Sequence, residues 1–569
     1  MNMLKSKNLW IVIAFAILTT IPFLGLTEFN TKGEPRESIV AFSMIENGDW
    51  ILPTNNDGEF AYKPPFFHWC IAATSLITGE VSLFSSRFPS AAWAIIMLIA
   101  CYIFFAKRKD ETTALLASFI CFTFFEIHRA VFACRVDMVL TALIVLALLQ
   151  LYKWHEKGMR GVSISAAIFM GLATLTKGPV GIVLPCLTMG IFSLMQGEGF
   201  WRSVWKYFAT AIVAMILPAL WYVAAYQRGG QEFLDLVIEE NVLRFTGKMS
   251  YASHENPAYY YIYTTLSGVL PWTVLCLISL FFLKYKKPVF APKEWWQKIK
   301  RMTPYELFSL LSIVVILLFY CIPKSKRSVY VMPIYPFMAY YLAIYFQWLL
   351  KNFPKAIKIF GWFISSLGFI LLVTFALIKY GLIPDSICGT GRHALESIRM
   401  LRALESIPMT LYTIIFVSLP AYAIWQFVRY NAEERPDNKL LYSICAVSIS
   451  IFLVLDAVLQ PPLLSSKTDK FIAQDVAKIA EGSHITSYVS VDMMHFFGIN
   501  WYLNDTVGVF NPESDRNEHN EGYILVGEQD RAILEEKCGG NYTFEEVYRS
   551  DKRSCDVKQI VLLLRYTTN

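Results

Sequence analysis

The sequence predicts an α-helical polytopic membrane protein that ends in a soluble α/β domain. Three observations lead there. The chain of 569 residues is 55% hydrophobic and 17% charged, with a mean hydropathy of +0.43, which is too apolar for a water-soluble globule. Its apolar residues gather in runs close to the roughly 20 that cross a bilayer. From Ser465 onward the composition becomes that of an ordinary soluble protein.

Runs of spanning length lie near residues 9–27, 85–106, 112–129, 136–152, 161–176, 179–195, 206–226, 261–283, 305–322, 328–349, 358–380, 409–428 and 440–459. Lys5 and Lys7 precede the first run, and no small-residue cleavage site follows it, so a retained signal anchor is expected. Phe66 to Gly79 is apolar but only about 14 residues long, and is read as interfacial or re-entrant. With that segment kept out of the count, the loops at 107–109, 153–160, 202–206, 284–301, 351–358 and 429–439 all fall on one face, and all are basic. Lys and Arg concentrate on the cytoplasmic side of short loops. About 13 spans follow, with the N-terminus cytoplasmic and the C-terminus outside; in a bacterium this is the inner (plasma) membrane with a periplasmic tail.

The expected division is a membrane domain over residues 1–464, whose first outer loop at 28–84 carries interfacial helices, and a periplasmic α/β domain over 465–569. In the tail, Lys467 to Ala480 alternates at helical spacing, while Gly522 to Val526 and Gln559 to Leu564 read as buried strands. The net charge of +6 records topology rather than nucleic-acid binding. Of the eleven Cys, Cys70, Cys101, Cys121, Cys186, Cys276, Cys321 and Cys445 sit in apolar runs as small core residues. A disulfide between Cys538 and Cys555 stays open. His254 stands alone, so no metal-ligand spacing emerges; no cofactor is indicated and a divalent metal has no support in the sequence.

Chemistry is expected in the polar stretch Asn30 to Pro65, which holds Gly33-Glu34-Pro35-Arg36, Gly48-Asp49-Trp50 and Tyr62-Lys63-Pro64-Pro65. Other outer segments add Arg129, Arg135 and Asp137, then Lys177, then Lys324, Lys326 and Arg327. The last cluster breaks the inside-positive rule. Its cations either snorkel to lipid headgroups or hold an anionic ligand such as phosphate. Cations stabilise charge on a departing phosphate, and a carboxylate within reach of an acceptor hydroxyl acts as base. Each residue also has a plainer role. Asp49 suits a turn, Asp137 a helix cap or a pair with Arg135, and Arg244 an amphipathic helix on the membrane surface. The Pro-Pro after Lys63 fixes an extended backbone, which favours a directed cation.

The order of Gly33-Glu34-Pro35-Arg36, Gly48-Asp49-Trp50, Lys63-Pro64-Pro65, Arg87-Phe88-Pro89-Ser90, Arg135-Val136-Asp137-Met138, Thr176-Lys177-Gly178-Pro179, Pro271-Trp272 and Ser325-Lys326 resembles the polytopic lipid-linked glycosyltransferases of the aminoarabinose transferase and protein O-mannosyltransferase type. The match runs over roughly the first 340 residues. The resemblance implies a GT-C fold, a polyprenyl-phosphate sugar donor, and inverting transfer to a lipid, glycan or protein acceptor on the outer face, by a monomer among membrane lipids. It gives Arg36 and Lys63 to the donor phosphate. That family keeps an Asp where this chain has Gly33, so Glu34 is the expected base, and Tyr62 replaces an acid found before the Lys-Pro-Pro of aminoarabinose transferases.

Asp137 is the second catalytic candidate. Lys177, Arg244, Lys324, Lys326 and Arg327 are further phosphate-binding candidates, and Tyr62, Asp49 and Arg135 are expected to line the acceptor and donor pocket. The rivals are a transporter or flippase, which needs charges at the bilayer midplane and two matching halves, and a GT-C scaffold with altered catalysis. Topology is checked by a cysteine placed in the tail, which should react with an impermeant maleimide from the non-cytoplasmic side. Labelling from the cytoplasmic side alone would reverse the assignment.

Overall fold

A computed structural model describes residues 5–569 except 32, 57, 62, 247, 249–253, 284–291, 392–393, 492–493 and 513–519. Tyr62, and the start of the loop expected to be cytoplasmic at 284–301, lie outside the described residues. Helix α1 (Lys7–Leu18) begins at Ser6, whose hydroxyl accepts from the Leu9 amide at 3.4 Å. The polar loop then forms α2 (Gly33–Asn47), a ribbon of β1 (Thr54–Asn55) and β2 (Glu59–Phe60), and α3 (Phe66–Thr78). Gly79 ends α3 in the left-handed region at φ 91°, the conformation glycine adopts without penalty. At 13 residues α3 is about 20 Å long, too short for the hydrocarbon core.

The helical run continues with α4 (Leu83–Arg108), α5 (Glu111–Phe122), α6 (Phe125–Val131), α7 (Val136–Glu156), α8 (Ile164–Lys177), α9 (Val180–Met195) and α10 (Phe200–Ile238). After it come α11 (Tyr260–Gly268), α12 (Trp272–Leu280), α13 (Pro304–Cys321), α14 (Tyr335–Asn352), α15 (Pro354–Lys379), α16 (Ala394–Glu405), α17 (Leu411–Asn431) and α18 (Asn438–Val454). Among the described residues, eight helices are long and apolar enough to cross a membrane. The bent pairs α5/α6 and α11/α12 raise that to ten, and Lys7–Phe23, Phe66–Thr78, Ile164–Lys177 and Val180–Met195 are shorter apolar helices.

Two segments expected to be continuous, 112–129 and 261–283, are broken, with bends of 69° and 106°. Pro271 supplies no amide to continue α11. The breaks satisfy one another: the Phe125 amide donates to the Leu270 carbonyl at 3.0 Å, and the Trp272 indole donates to the Thr123 hydroxyl at 2.8 Å. Polar backbone at membrane depth needs such internal partners.

The chain divides into two compact units. The first comprises Met1–Pro22, Pro89–Thr374 and Met409–Leu455. Its centre is α7, 89% of whose apolar window is buried, against 22% for α17, which turns its apolar side chains outward as a lipid-facing helix does. Helices α8 and α9 touch at Gly181, where an added Cβ would stand 2.5 Å from the Thr174 amide nitrogen.

The second unit comprises Phe23–Phe88, Phe375–Pro408 and Asp456–Asn569. Its C-terminal part holds α19 (Lys470–Ala480), β3 (Ile485–Tyr488), α20 (Phe497–Tyr502), β4 (Val507–Val509), β5 (Glu521–Gly527), α21 (Arg531–Lys537), β6 (Tyr542–Arg553) and β7 (Ile560–Thr568). The strands form one sheet in the order β4-β3-β5-β7-β6, with β3 parallel to β4 and β5, and β7 antiparallel to β5 and β6. Alternation sorts the core: Leu525, Val561 and Leu563 pack with Ile472 and Val476 of α19, while Ile524, Val526, Leu562 and Leu564 pack with Leu534 of α21. The sequence located α19, β5 and β7 but not β3, β4 or β6. Edge strand β6 carries two register shifts, at Glu546/Tyr548 and Arg549/Arg553. All eleven Cys are free thiols; Cys538 is buried in the second cluster, whereas the Cys555 thiol donates to the Lys467 carbonyl.

Because α8 carries Lys177 at its last turn, the close approach at Gly181 is predicted to matter. Gly181→Ala should force α8 and α9 apart and cost about 1–3 kcal/mol, read as a lower thermal midpoint in detergent. An unchanged midpoint would mean that the first turn of α9 yields freely.

Candidate functional site

In the second unit, the N-terminal end of α2 carries two carboxylates at helical spacing, Glu34 in its first turn and Glu37 three residues on. Both are buried, and a buried carboxylate requires a partner. Glu34 has Arg87 of α4, which donates from Nε to Oε1 at 2.9 Å and from Nη2 to Oε2 at 3.4 Å. The remaining nitrogen of Arg87 donates to the Leu24 carbonyl at 3.0 Å and to the Thr27 carbonyl and hydroxyl at 2.5 and 2.9 Å. The guanidinium also lies 5.0 Å from the Phe29 ring.

Glu37 has three partners. Lys63 Nζ donates to Oε1, which also takes Arg36 Nη2 at 3.3 Å, and Oε2 meets His68 Nε2 at 3.0 Å. Burial would by itself raise the Glu37 carboxyl, but Lys63 first, then the His68 hydrogen bond and Arg36, overcome it and hold the group well below the usual carboxylate range. Glu37 thus remains a carboxylate that keeps Lys63 and Arg36 together. Among the described residues, His68 Nδ1 is buried without a hydrogen-bond partner. Asp49, by contrast, is engaged in its own turn, accepting from the Ile51 and Leu52 amides at 2.9 and 3.0 Å.

In the first unit, Asp137 sits in the first turn of α7 and receives Lys177 from the last turn of α8. Lys177 lies 4.4 Å from the Tyr330 ring centroid. Arg327 and Arg135, which caps α7, are the next cations in the field of Asp137. The basic loop 323–328 is anchored beside them. Lys326, buried, donates from Nζ to the Pro323 carbonyl, and its amide donates to the His254 carbonyl at 2.8 Å. Asn256 donates to the Lys324 and Lys326 carbonyls at 3.3 and 3.2 Å, and Ser328 donates to Glu126 at 3.0 Å, which also receives Arg129 at 2.7 Å. The Lys324 side chain is exposed. Arg244 pairs with Glu240 one turn back at 2.8 Å. Among the described residues, no group of three or more His, Cys, Asp and Glu side chains is placed to hold a metal ion.

The candidates therefore sort into two clusters: Arg36 and Lys63 around Glu37, and Lys177, Arg135 and Arg327 around Asp137. Glu37, His68, Arg87 and Glu126 were missed by the sequence reading as site residues. A signal for Glu37 was present, since it lies three positions after Glu34 on one helix and one after Arg36.

Comparison with known proteins bears on this arrangement. A family described as "Dolichyl-phosphate-mannose-protein mannosyltransferase" matches over residues 62–222. An uncharacterized protein of Aquifex aeolicus is 28% identical over 382 residues, 65% of this chain and 72% of that one. An undecaprenyl phosphate-alpha-4-amino-4-deoxy-L-arabinose arabinosyl transferase from an Enterobacter species (strain 638) is 25% identical over 508 residues, 87% and 84% of the two chains. The crystal structure of ArnT from Cupriavidus metallidurans bound to undecaprenyl phosphate superposes with a TM-score of 0.71 over 98% of both chains, at 15% identity, and so shares the fold. The chain is a multi-span membrane glycosyltransferase of the lipid-linked GT-C class. Within that class it resembles the aminoarabinose transferase and protein O-mannosyltransferase type.

The depressed Glu37 carboxyl has a pH signature. Its folded value lies below the unfolded value of about 4.3, so acidification between the two protonates the unfolded chain first and favours unfolding. Wild type should lose thermal stability below about pH 4.3, and Glu37→Gln should show a shallower acid slope over about pH 7 to pH 3. An identical slope in both would assign the acid sensitivity to other carboxylates.

Proposed function

We propose that this enzyme takes a sugar from a polyprenyl phosphate at the outer face of a bacterial inner membrane and transfers it, with inversion, to a hydroxyl or phosphate of a lipid, glycan or protein acceptor. The observation that carries the reading is the convergence of Lys63 and Arg36 on the buried carboxylate of Glu37. A carboxylate that holds two cations side by side prepares them for a phosphate, whose oxygens can take the place of its own. The name of the Enterobacter relative and the lipid in the ArnT crystal support undecaprenyl phosphate as carrier. The loop cations Lys324, Lys326 and Arg327, with Lys177 and Arg244, are proposed as further phosphate ligands.

Glu34 and Asp137 are proposed as the candidate bases for the acceptor. Glu34 occupies the position favoured by the family resemblance. A specific observation favours Asp137 as the alternative: both Glu34 oxygens already accept from Arg87, whereas Asp137 receives Lys177 on Oδ1. Asp49 and Arg135 are proposed to serve the acceptor and donor pocket by shaping its walls. Thirteen spans, a cytoplasmic N-terminus and a periplasmic domain over 465–569 complete the proposal.

The test uses labelled undecaprenyl-phosphate aminoarabinose as donor and envelope membranes as the source of acceptor. Lys63→Ala should weaken photolabelling by an undecaprenyl-phosphate probe about tenfold or more, the scale of one lost charge-assisted contact. Unaltered labelling would remove Lys63 from the phosphate site. Glu34→Gln and Asp137→Asn, compared at equal folded yield, should separate the bases, since the true base loses turnover by about 100-fold or more while donor labelling persists. Full turnover in both would leave neither as base.

A further inference from the structure

The C-terminal sheet domain meets α2 through a joint unlike an ordinary apolar contact. Trp501 of α20 donates its indole N–H to the Ser38 hydroxyl at 2.8 Å, and Ser38 in turn lies 2.7 Å from the Ser86 hydroxyl. The next residue pair is Ser43 with Asp505, hydroxyl to carboxylate at 2.8 Å. The other oxygen of Asp505 accepts the Asn56 amide at 3.1 Å and the Asn500 side-chain amide at 2.8 Å. Asn500 also donates to the Asn56 side-chain oxygen at 2.7 Å, while its own oxygen takes the Val507 amide at 2.9 Å. At the near end Glu28 accepts from Lys470 and Tyr502, at 2.7 and 2.8 Å.

Adhesion alone does not call for this. Ser38, Ser43, Asn56 and Asn500 are all buried, and burying so many polar groups yields little net stability compared with apolar packing, while it fixes one geometry. Backbone conformation points the same way. Asn56, Asn504 and Asp505 all adopt left-handed φ, at 47°, 55° and 56°, a region that side-chain-bearing residues enter at a cost. Three such residues are held where the domain grips the loop and helix.

Ser38 directly follows Glu37 in α2, so any rotation of the helix at Ser38 carries Glu37 with it. Trp501 also packs edge-on against Phe29, at 4.7 Å between centroids, and Phe29 is the ring beneath Arg87, the partner of Glu34. The same tryptophan thus reaches Glu37 through the neighbouring Ser38, and Glu34 through Phe29 and Arg87.

We infer that the C-terminal domain is a brace for α2, and that Trp501, Asn500 and Asp505 are positioning residues that set the orientation of the Glu34 and Glu37 carboxylates. The inference rests on the transferase reading for its kinetic arm only. Trp501→Phe keeps the ring and removes the donor; Ser38→Ala removes the acceptor from the other side. With the labelled donor, each full-length variant should lose about tenfold in kcat/KM, and the double variant should be no worse than either single.

In hydrogen exchange of the detergent-solubilised protein, amides of α2 should exchange about tenfold faster, while β5 and β7 stay as protected as in wild type. This arm needs no substrate, so it judges the brace even if the donor proves wrong. Unchanged α2 exchange, additive losses in the double variant, or equal loss of protection in the sheet would each overturn the inference. The last outcome would make Trp501 a core residue of the domain and nothing more.

Discussion

A carboxylate buried beside a membrane cannot stand without a cation, and the pair Glu34–Arg87 is where that constraint shapes the second unit. Arg87 makes five hydrogen bonds, two to Glu34 and three to Leu24 and Thr27. One side chain therefore fixes the place where the chain leaves its first helix, the place where α2 begins, and the first turn of α4. Removing either partner would leave the other charged and buried, a loss of about 3–5 kcal/mol. The Glu37 cluster can tolerate exposure of Lys63 and Arg36 because this neighbouring pair already holds the helix that presents it.

The two clusters follow one electrostatic plan. In each, a buried carboxylate near the N-terminal end of a helix gathers cations: Glu37 with Lys63 and Arg36, Asp137 with Lys177 and, further out, Arg327. Negative side chains are favoured at that end of a helix. The arrangement keeps several cations ordered around each carboxylate. It is the kind of preorganisation that electrostatic catalysis requires.

The fold was largely legible in the sequence because span length and charge bias are set by the bilayer, a constraint that acts on each segment separately. The breaks at Thr123 and Val269–Pro271 were not, since each is stabilised by the other across 149 positions. Of the candidate site, the cations were legible. Arg36, Lys63, Lys177 and the 324–327 loop stand out as charges near span ends, whereas Glu37 was overshadowed by the Glu-Pro-Arg motif before it, and His68 lay inside an apolar run. Arg87 belonged to a quoted motif, and a lone charge in an apolar helix is itself a mark of a buried partner. No local pattern could announce that Trp501 would reach Ser38, 463 positions away.

The edge of the C-terminal sheet has a consequence for recruitment. Strand β6 is shifted in register twice and carries Glu545, Glu546, Arg549 and Asp551 along an exposed border, while the opposite edge, β4, is three residues long. Neither border offers a long, flat ladder of unpaired amides. An extended peptide cannot be enrolled here as an extra strand, nor can two copies zip together edge to edge. A partner of this domain would be met by side chains and loops rather than by an added strand.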